Sequence, residues 1–115
     1  MLLDLTLVES ITMTDLVQQL ANELAVRPNQ VEAAIRLIDE GASVPFIARY
    51  RKEVTQGLDD TQLRQLDTRL TYLRDLYERR EKVIQSLQEQ DKLSDDLLAR
   101  VNAAETKNAL EEIYA

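Results

Sequence analysis

Residues 41–60 read G-A-S-V-P-F-I-A-R-Y-R-K-E-V-T-Q-G-L-D-D, and the architecture of the chain turns on them. This stretch holds both glycines, the single phenylalanine, one of two prolines and the densest basic cluster, Arg49, Arg51 and Lys52. Ser43 is a candidate N-cap and Pro45 suits a first helical turn, where a missing N–H costs nothing. The spacing predicts a short helix over about residues 45–52, with Phe46, Ile47 and Tyr50 on its inner side and the cations outward. Val54 and Thr55 are β-branched and weak helix formers. Gly57 permits a left-handed turn. Asp59 then caps a new helix, with Gln62 three residues on as the second half of a capping box. Gly41, Pro45, Phe46, Ile47, Tyr50, Gly57 and Asp59 are thus read as the structural frame of a glycine-bounded corner.

Downstream, no Pro or Gly occurs from Asp60 to Gln90. One long helix of about 45 Å follows at 1.5 Å per residue. Leu63, Leu66, Leu70, Leu73, Tyr77, Ile84 and Leu87 recur at alternating steps of three and four, with Arg80 interrupting one step. This is a heptad-like seam. Asp60/Arg64, Asp75/Arg79 and Glu78/Lys82 have the favourable polarity for i,i+4 pairs. The sequence Asp91-Lys92-Leu93 breaks the pattern. Ser94 caps a further helix with the stripe Leu97, Leu98, Val101 and Ala104, and Thr106 caps a last one carrying Leu110, Ile113 and Tyr114.

Upstream, Thr12 or Thr14 can cap a helix beginning near Asp15, with Leu16, Val17, Leu20, Ala21 and Leu24 as its apolar stripe. Pro28 ends that helix and opens the next, whose stripe is Val31, Ala34, Ile35 and Ile38. Gly41 is its C-terminal cap. The tight connection at Arg27-Pro28 predicts an antiparallel pair. Residues 1–12 are read as an N-terminal extension with little defined fold, leaving 13–115 as the helical domain.

Composition supports an all-α reading. Of 115 residues, 44% are hydrophobic and 30% charged, enough apolar material for a modest core. Two Gly and two Pro leave few tight turns, which disfavours strands. The net charge of −7 opposes nucleic-acid binding by the chain as a whole unless cations cluster locally. The absence of Cys and His removes thiol chemistry, thiolate metal sites and the usual neutral-pH acid–base group. No apolar run approaches the ~20 residues of a membrane span.

Few residues suggest chemistry. The doublets Asp39-Glu40, Asp59-Asp60, Asp95-Asp96 and Glu111-Glu112 have neighbours that do not face each other on a helix, and most fall at helix ends. They read as caps and solvated charge rather than paired catalytic carboxylates. No phosphate-cradling loop and no nucleophile–base pair is present, so no catalytic residue, metal site or cofactor is expected. Arg49, Arg51 and Lys52 are the candidate nucleic-acid contacts, since arginines beside an aromatic can hold phosphate or stack on a base. The competing reading puts Tyr50 in the core and pairs the arginines with the chain's own carboxylates.

The stretch at 41–60 resembles the signature near the start of the bacterial transcription accessory protein Tex family. The likeness extends over residues 13–114. It takes in A-V-R-P-N-Q-V-E-A-A-I-R-L-I-D-E-G before the signature, then L-R-D-L-Y-E-R-R and the closing T-K-N-A-L-E-E-I-Y. It implies a helix-turn-helix-like N-terminal region of a much longer cytoplasmic protein, with RNA-binding and degenerate nuclease-like domains further along. The remainder of that polypeptide, RNA or DNA through the full-length protein, and the transcription machinery are the implied partners. No membrane partner is implied.

The expectation is therefore an all-α bundle of five to six helices with one long central helix, part of a larger protein. Its expected role is that of a scaffold and interaction module of a nucleic-acid-binding transcription accessory protein. The leucine seam supports a different reading, a self-associating coiled coil with no nucleic-acid role.

Overall fold

The computed structural model describes the backbone of residues 5–114 and the side chains of residues 14–114. Among these the chain is all-α, with six helices: α1 (Leu5–Leu24), α2 (Pro28–Asp39), α3 (Val44–Tyr50), α4 (Asp60–Glu89), α5 (Asp95–Ala103) and α6 (Lys107–Tyr114). The chain divides into two compact units within α4, the first ending at Thr71 and the second beginning at Tyr72.

Helix α1 begins at Leu5 and not near Asp15. No Pro or Gly lies between Leu5 and Asp15 to stop a helix there. The extension expected over residues 1–12 has its side chains outside the described residues.

In the first unit α1 packs on α2, and α2 on α3. Leu16, Val17, Leu20 and Ala21 of α1 and Val31, Ala33, Ala34 and Ile35 of α2 are buried, as are Ile47, Leu58, Leu63, Leu66 and Leu70. The helical stripes read from the sequence are thus the core faces of this unit, with Leu24 and Ile38 at their ends only half-buried, and burial of each large aliphatic side chain contributes about 1.5–3 kcal/mol. Glu23, near the end of α1, accepts a forked pair from Arg69 of α4, with Nε–Oε1 at 2.7 Å and Nη2–Oε2 at 3.0 Å.

Three helix ends and the loop after α3 share one device. The N–H of Val26 donates to the Ala21 carbonyl at 3.0 Å, Ala42 to Leu37 at 3.0 Å and Lys92 to Leu87 at 2.9 Å at the ends of α1, α2 and α4, and in the loop Gly57 donates to Lys52 at 2.8 Å. Each closes a helical turn through a left-handed residue and satisfies an orphan carbonyl. Gly41 and Gly57 hold positive φ, as Ala25, Gln56 and Asp91 do without a glycine's freedom. At helix starts, Ser43 accepts from the Phe46 N–H, Ser94 from Leu97 and Thr106 from Ala109. Asp59 and Gln62 cap each other reciprocally, at 2.8 and 2.9 Å.

In the second unit, α6 is fastened to α4 at three levels. Lys107 meets Asp75 at 3.3 Å, Arg79 meets Glu111 at 2.5 Å, and the hydroxyls of Ser86 and Tyr114 lie 2.6 Å apart. The order of these pairs makes α6 run in the same direction as α4. Arg79 and Asp75 therefore do not pair with each other as the i,i+4 reading expects; each has a partner on α6. Asp60/Arg64 and Glu78/Lys82 do pair.

The seam of α4 is corrected in this unit. Leu73, Leu76, Val83 and Leu87 are buried, while Tyr77 and Ile84 are only half-buried. Helix α6 lies along the flank bearing Asp75, Arg79 and Ser86. Leu76 and Val83 are on the side of the seam nearer that flank, so they are the residues it covers. Arg80 has a use at its seam position: its Nη2 donates to the carbonyl of Ala104, the C-cap of α5. A cation at the carbonyl-rich end of a helix is favourably placed.

Candidate nucleic-acid interface

The corner at residues 41–60 is built differently from the sequence expectation. Ile47 points inward and is fully buried, but Phe46 is 40% and Tyr50 54% exposed. A seven-residue helix packed on α2 buries only a narrow face, and Ile47 occupies it. The inward anchors of the loop after α3 are Thr55 and Leu58, at 0% and 1% exposure. Leu58 precedes the capping residue Asp59, outside any helical stripe, so periodicity alone did not mark it.

Gln30 holds this loop in place, a role the sequence reading missed. Its Oε1 accepts the Arg27 N–H at 2.9 Å, and its Nε2 donates to the carbonyls of Thr55 at 3.3 Å and Gln56 at 3.1 Å. Arg27 adds a hydrogen bond from Nη2 to the Gln56 side chain at 2.5 Å. The one signal in the sequence was a polar residue directly before the apolar stripe of α2.

The outer face of α3 carries an alternation of cations and rings. The Arg51 guanidinium lies 5.2 Å from the Phe46 ring centroid, Phe46 lies 5.3 Å from Tyr50 at a tilt of 48°, and Arg49 lies 5.5 Å from the Tyr50 ring. These are cation–π and tilted ring–ring separations. Arg51 also donates to the Tyr50 carbonyl at 3.2 Å. Arg49, Arg51 and Lys52 are exposed, and no ion pair among the described residues includes them. The pairing of Arg49 and Arg51 with the chain's own carboxylates, weighed from the sequence, is therefore not what the structure shows.

Of the expected structural frame, Gly41 and Gly57 hold left-handed φ of 98° and 95°. A Cβ at either would meet nothing within 4 Å, so backbone conformation and not space calls for glycine. Pro45 lies in the first turn of α3. Of the acidic doublets, Asp59 caps α4, Asp60 pairs with Arg64, Asp95 and Asp96 sit in the first turn of α5, and Glu111 accepts from Arg79. No helix among the described residues is long and apolar enough to cross a membrane.

Comparison with known proteins gives a family. Residues 14–88 match the Tex-like protein N-terminal domain. The chain is 61% identical over 95 residues to the transcriptional accessory protein Tex of Neisseria gonorrhoeae, covering 83% of this chain and 12% of that protein. It is 60% identical over 95 residues to protein YhgF of Escherichia coli strain K12, with the same coverage of 83% and 12%. A human relative, S1 RNA-binding domain-containing protein 1, is 33% identical over 101 residues, covering 88% of this chain and 10% of that protein. The chain thus spans about an eighth of the length of the bacterial relatives it matches. With a match across most of its helices, the corner at 41–60 included, the chain belongs to the Tex-like protein N-terminal domain family.

Proposed function

We propose that this chain is the N-terminal helical scaffold and interaction module of a longer, cytoplasmic, RNA-binding transcription accessory protein, without catalytic residues or a cofactor of its own. The observation that carries this reading is the match over residues 14–88 combined with coverage of only 12% of the relatives' length. The names of two relatives, one a transcriptional accessory protein and one containing an S1 RNA-binding domain, support the association with transcription and RNA. The remainder of the polypeptide and the transcription machinery are the proposed protein partners, with RNA or DNA bound through the full-length protein.

The coiled-coil alternative has less support. Leu63, Leu66, Leu70, Leu73 and Leu87 are at most 7% exposed within a single chain, so most of the seam is already covered, and only Tyr77 and Ile84 are half-buried.

The test uses the N. gonorrhoeae relative with its corresponding segment deleted, or replaced by this chain. Deletion is expected to lower the thermal midpoint of the long protein and weaken its retention on immobilised RNA, and replacement to restore both. A deletion that changes neither would remove the scaffold role.

A further inference from the structure

We propose that the outer face of α3, formed by Arg51, Phe46, Tyr50 and Arg49 with Lys52 beside them, is a stacking platform for single-stranded nucleic acid. This rests on the reading that the longer protein binds nucleic acid, and it assigns a site and a strand preference within this chain.

Four features converge. The first is exposure: Phe46 and Tyr50, four residues apart on α3, are large hydrophobic residues open to solvent among the described residues. The second is charge. In a chain of net charge −7, three neighbouring cations lack a carboxylate partner, so the patch complements an anion locally. The third is flatness, because guanidinium planes and aromatic rings are both groups on which bases stack. The fourth is rigidity. The face is mounted on buried Ile47, on the Ser43 cap and on the loop held by Gln30.

The pattern selects a single strand over a duplex. In a duplex the base faces are already stacked on one another, leaving only phosphates for the cations. An unpaired strand offers both phosphates and ring faces, and the Phe46–Tyr50 pair has room for about two bases. An acidic peptide would satisfy the cations and leave the rings without a matching surface.

The experiment is fluorescence anisotropy of the 115-residue chain with a labelled oligouridylate of about 20 nucleotides, competed by duplex RNA of the same length and by polyglutamate. Binding is expected at low salt, weakening about twentyfold from about 50 to about 200 mM salt if three phosphates are contacted. Phe46→Ala with Tyr50→Ala is expected to weaken binding about tenfold or more, and Tyr50→Phe to leave it unchanged. Arg49→Glu with Arg51→Glu should abolish it. Far-UV circular dichroism should be the same for all variants, because none touches Ile47. Absence of binding at low salt would overturn the proposal, as would equal competition by the duplex with no effect of removing the rings. Displacement by polyglutamate at matched charge would assign the face to an acidic protein instead. In each case the scaffold reading is judged separately, by the thermal midpoint of the replaced long protein.

Discussion

Gln30 and Thr55, 25 positions apart, are joined by a hydrogen bond from the Gln30 amide to the Thr55 carbonyl at 3.3 Å, and the same amide nitrogen reaches the Gln56 carbonyl at 3.1 Å. One side chain thereby fixes the loop between α3 and α4 to the first turn of α2. Gln30 is 9% exposed, so its partners have little water to turn to if it is removed. Gln30→Met keeps the length and loses every hydrogen bond. It should lower unfolding free energy by about 2 kcal/mol, measured by urea titration. Hydrogen exchange at the loop should rise more than at α1.

Ile47 and its neighbours Phe46 and Tyr50 should separate cleanly in stability. Ile47→Ala opens a cavity in the first unit and should cost about 2–5 kcal/mol. Phe46→Ser and Tyr50→Ser remove exposed rings and should each cost under about 1 kcal/mol, mainly the lost ring and cation–π contacts. Thermal melts of the three variants decide this. A large loss on Tyr50→Ser would return that residue to the core.

Ala25 closes α1 with φ at 56°, a region where a Cβ is strained. Ala25→Gly should stabilise the chain by about 0.5–1 kcal/mol, the relief of strain exceeding the added freedom of the unfolded chain. Gly41→Ala places the same strain at the end of α2 and should destabilise by a similar amount. Chemical denaturation midpoints measure both changes.

The Arg69 fork beside Glu23 holds that carboxyl below its ordinary range of about 4.5, against a smaller opposing effect of burial. Arg79 does the same to Glu111. A carboxyl whose folded pKa is depressed contributes stability above its unfolded pKa and loses it as pH falls through the folded value. Stability should therefore be level above about pH 5 and decline below about pH 4.5, with Arg69→Met flattening part of the decline. The Glu23–Arg69 pair is partly solvent-exposed, so its share should be no more than about 1 kcal/mol. Urea midpoints between neutral and acid pH, with and without Arg69→Met, test the sign.

Arg80 crosses the second unit to the end of α5, while its Nε is buried without a partner. Arg80→Ala should destabilise this unit by about 2 kcal/mol, through lost packing and an unpaired Ala104 carbonyl. Arg80→Met retains the packing and should lose less. Amide exchange over residues 95–114 should rise in both variants, with residues 16–40 unaffected.

Local chemistry determined much of this molecule. Ser43, Asp59, Ser94 and Thr106 were legible as helix caps because each needs only its own next three residues. Gly41 and Gly57 were legible as left-handed turns, and the leucines of the first half of α4 as a core face, because those properties follow from one residue or one helical period. Together they specify an all-α chain with a long helix after a corner.

Tertiary structure alone decided the rest. Which of Phe46, Ile47 and Tyr50 faces inward depends on how narrow a face α2 offers to α3, and no periodicity encodes that. Gln30 finds its acceptors 25 and 26 positions away. Arg79 has Asp75 one turn before it on its own helix and pairs with Glu111 across to α6. Burial shifted from Tyr77 and Ile84 to Leu76 and Val83 because α6 covers one flank of α4. In each case the deciding partner is distant in sequence, so the residue's own neighbours contain no record of it. The candidate interface follows the same division. The sequence named its cations, but only the packing of Ile47 left the two rings between them open to solvent.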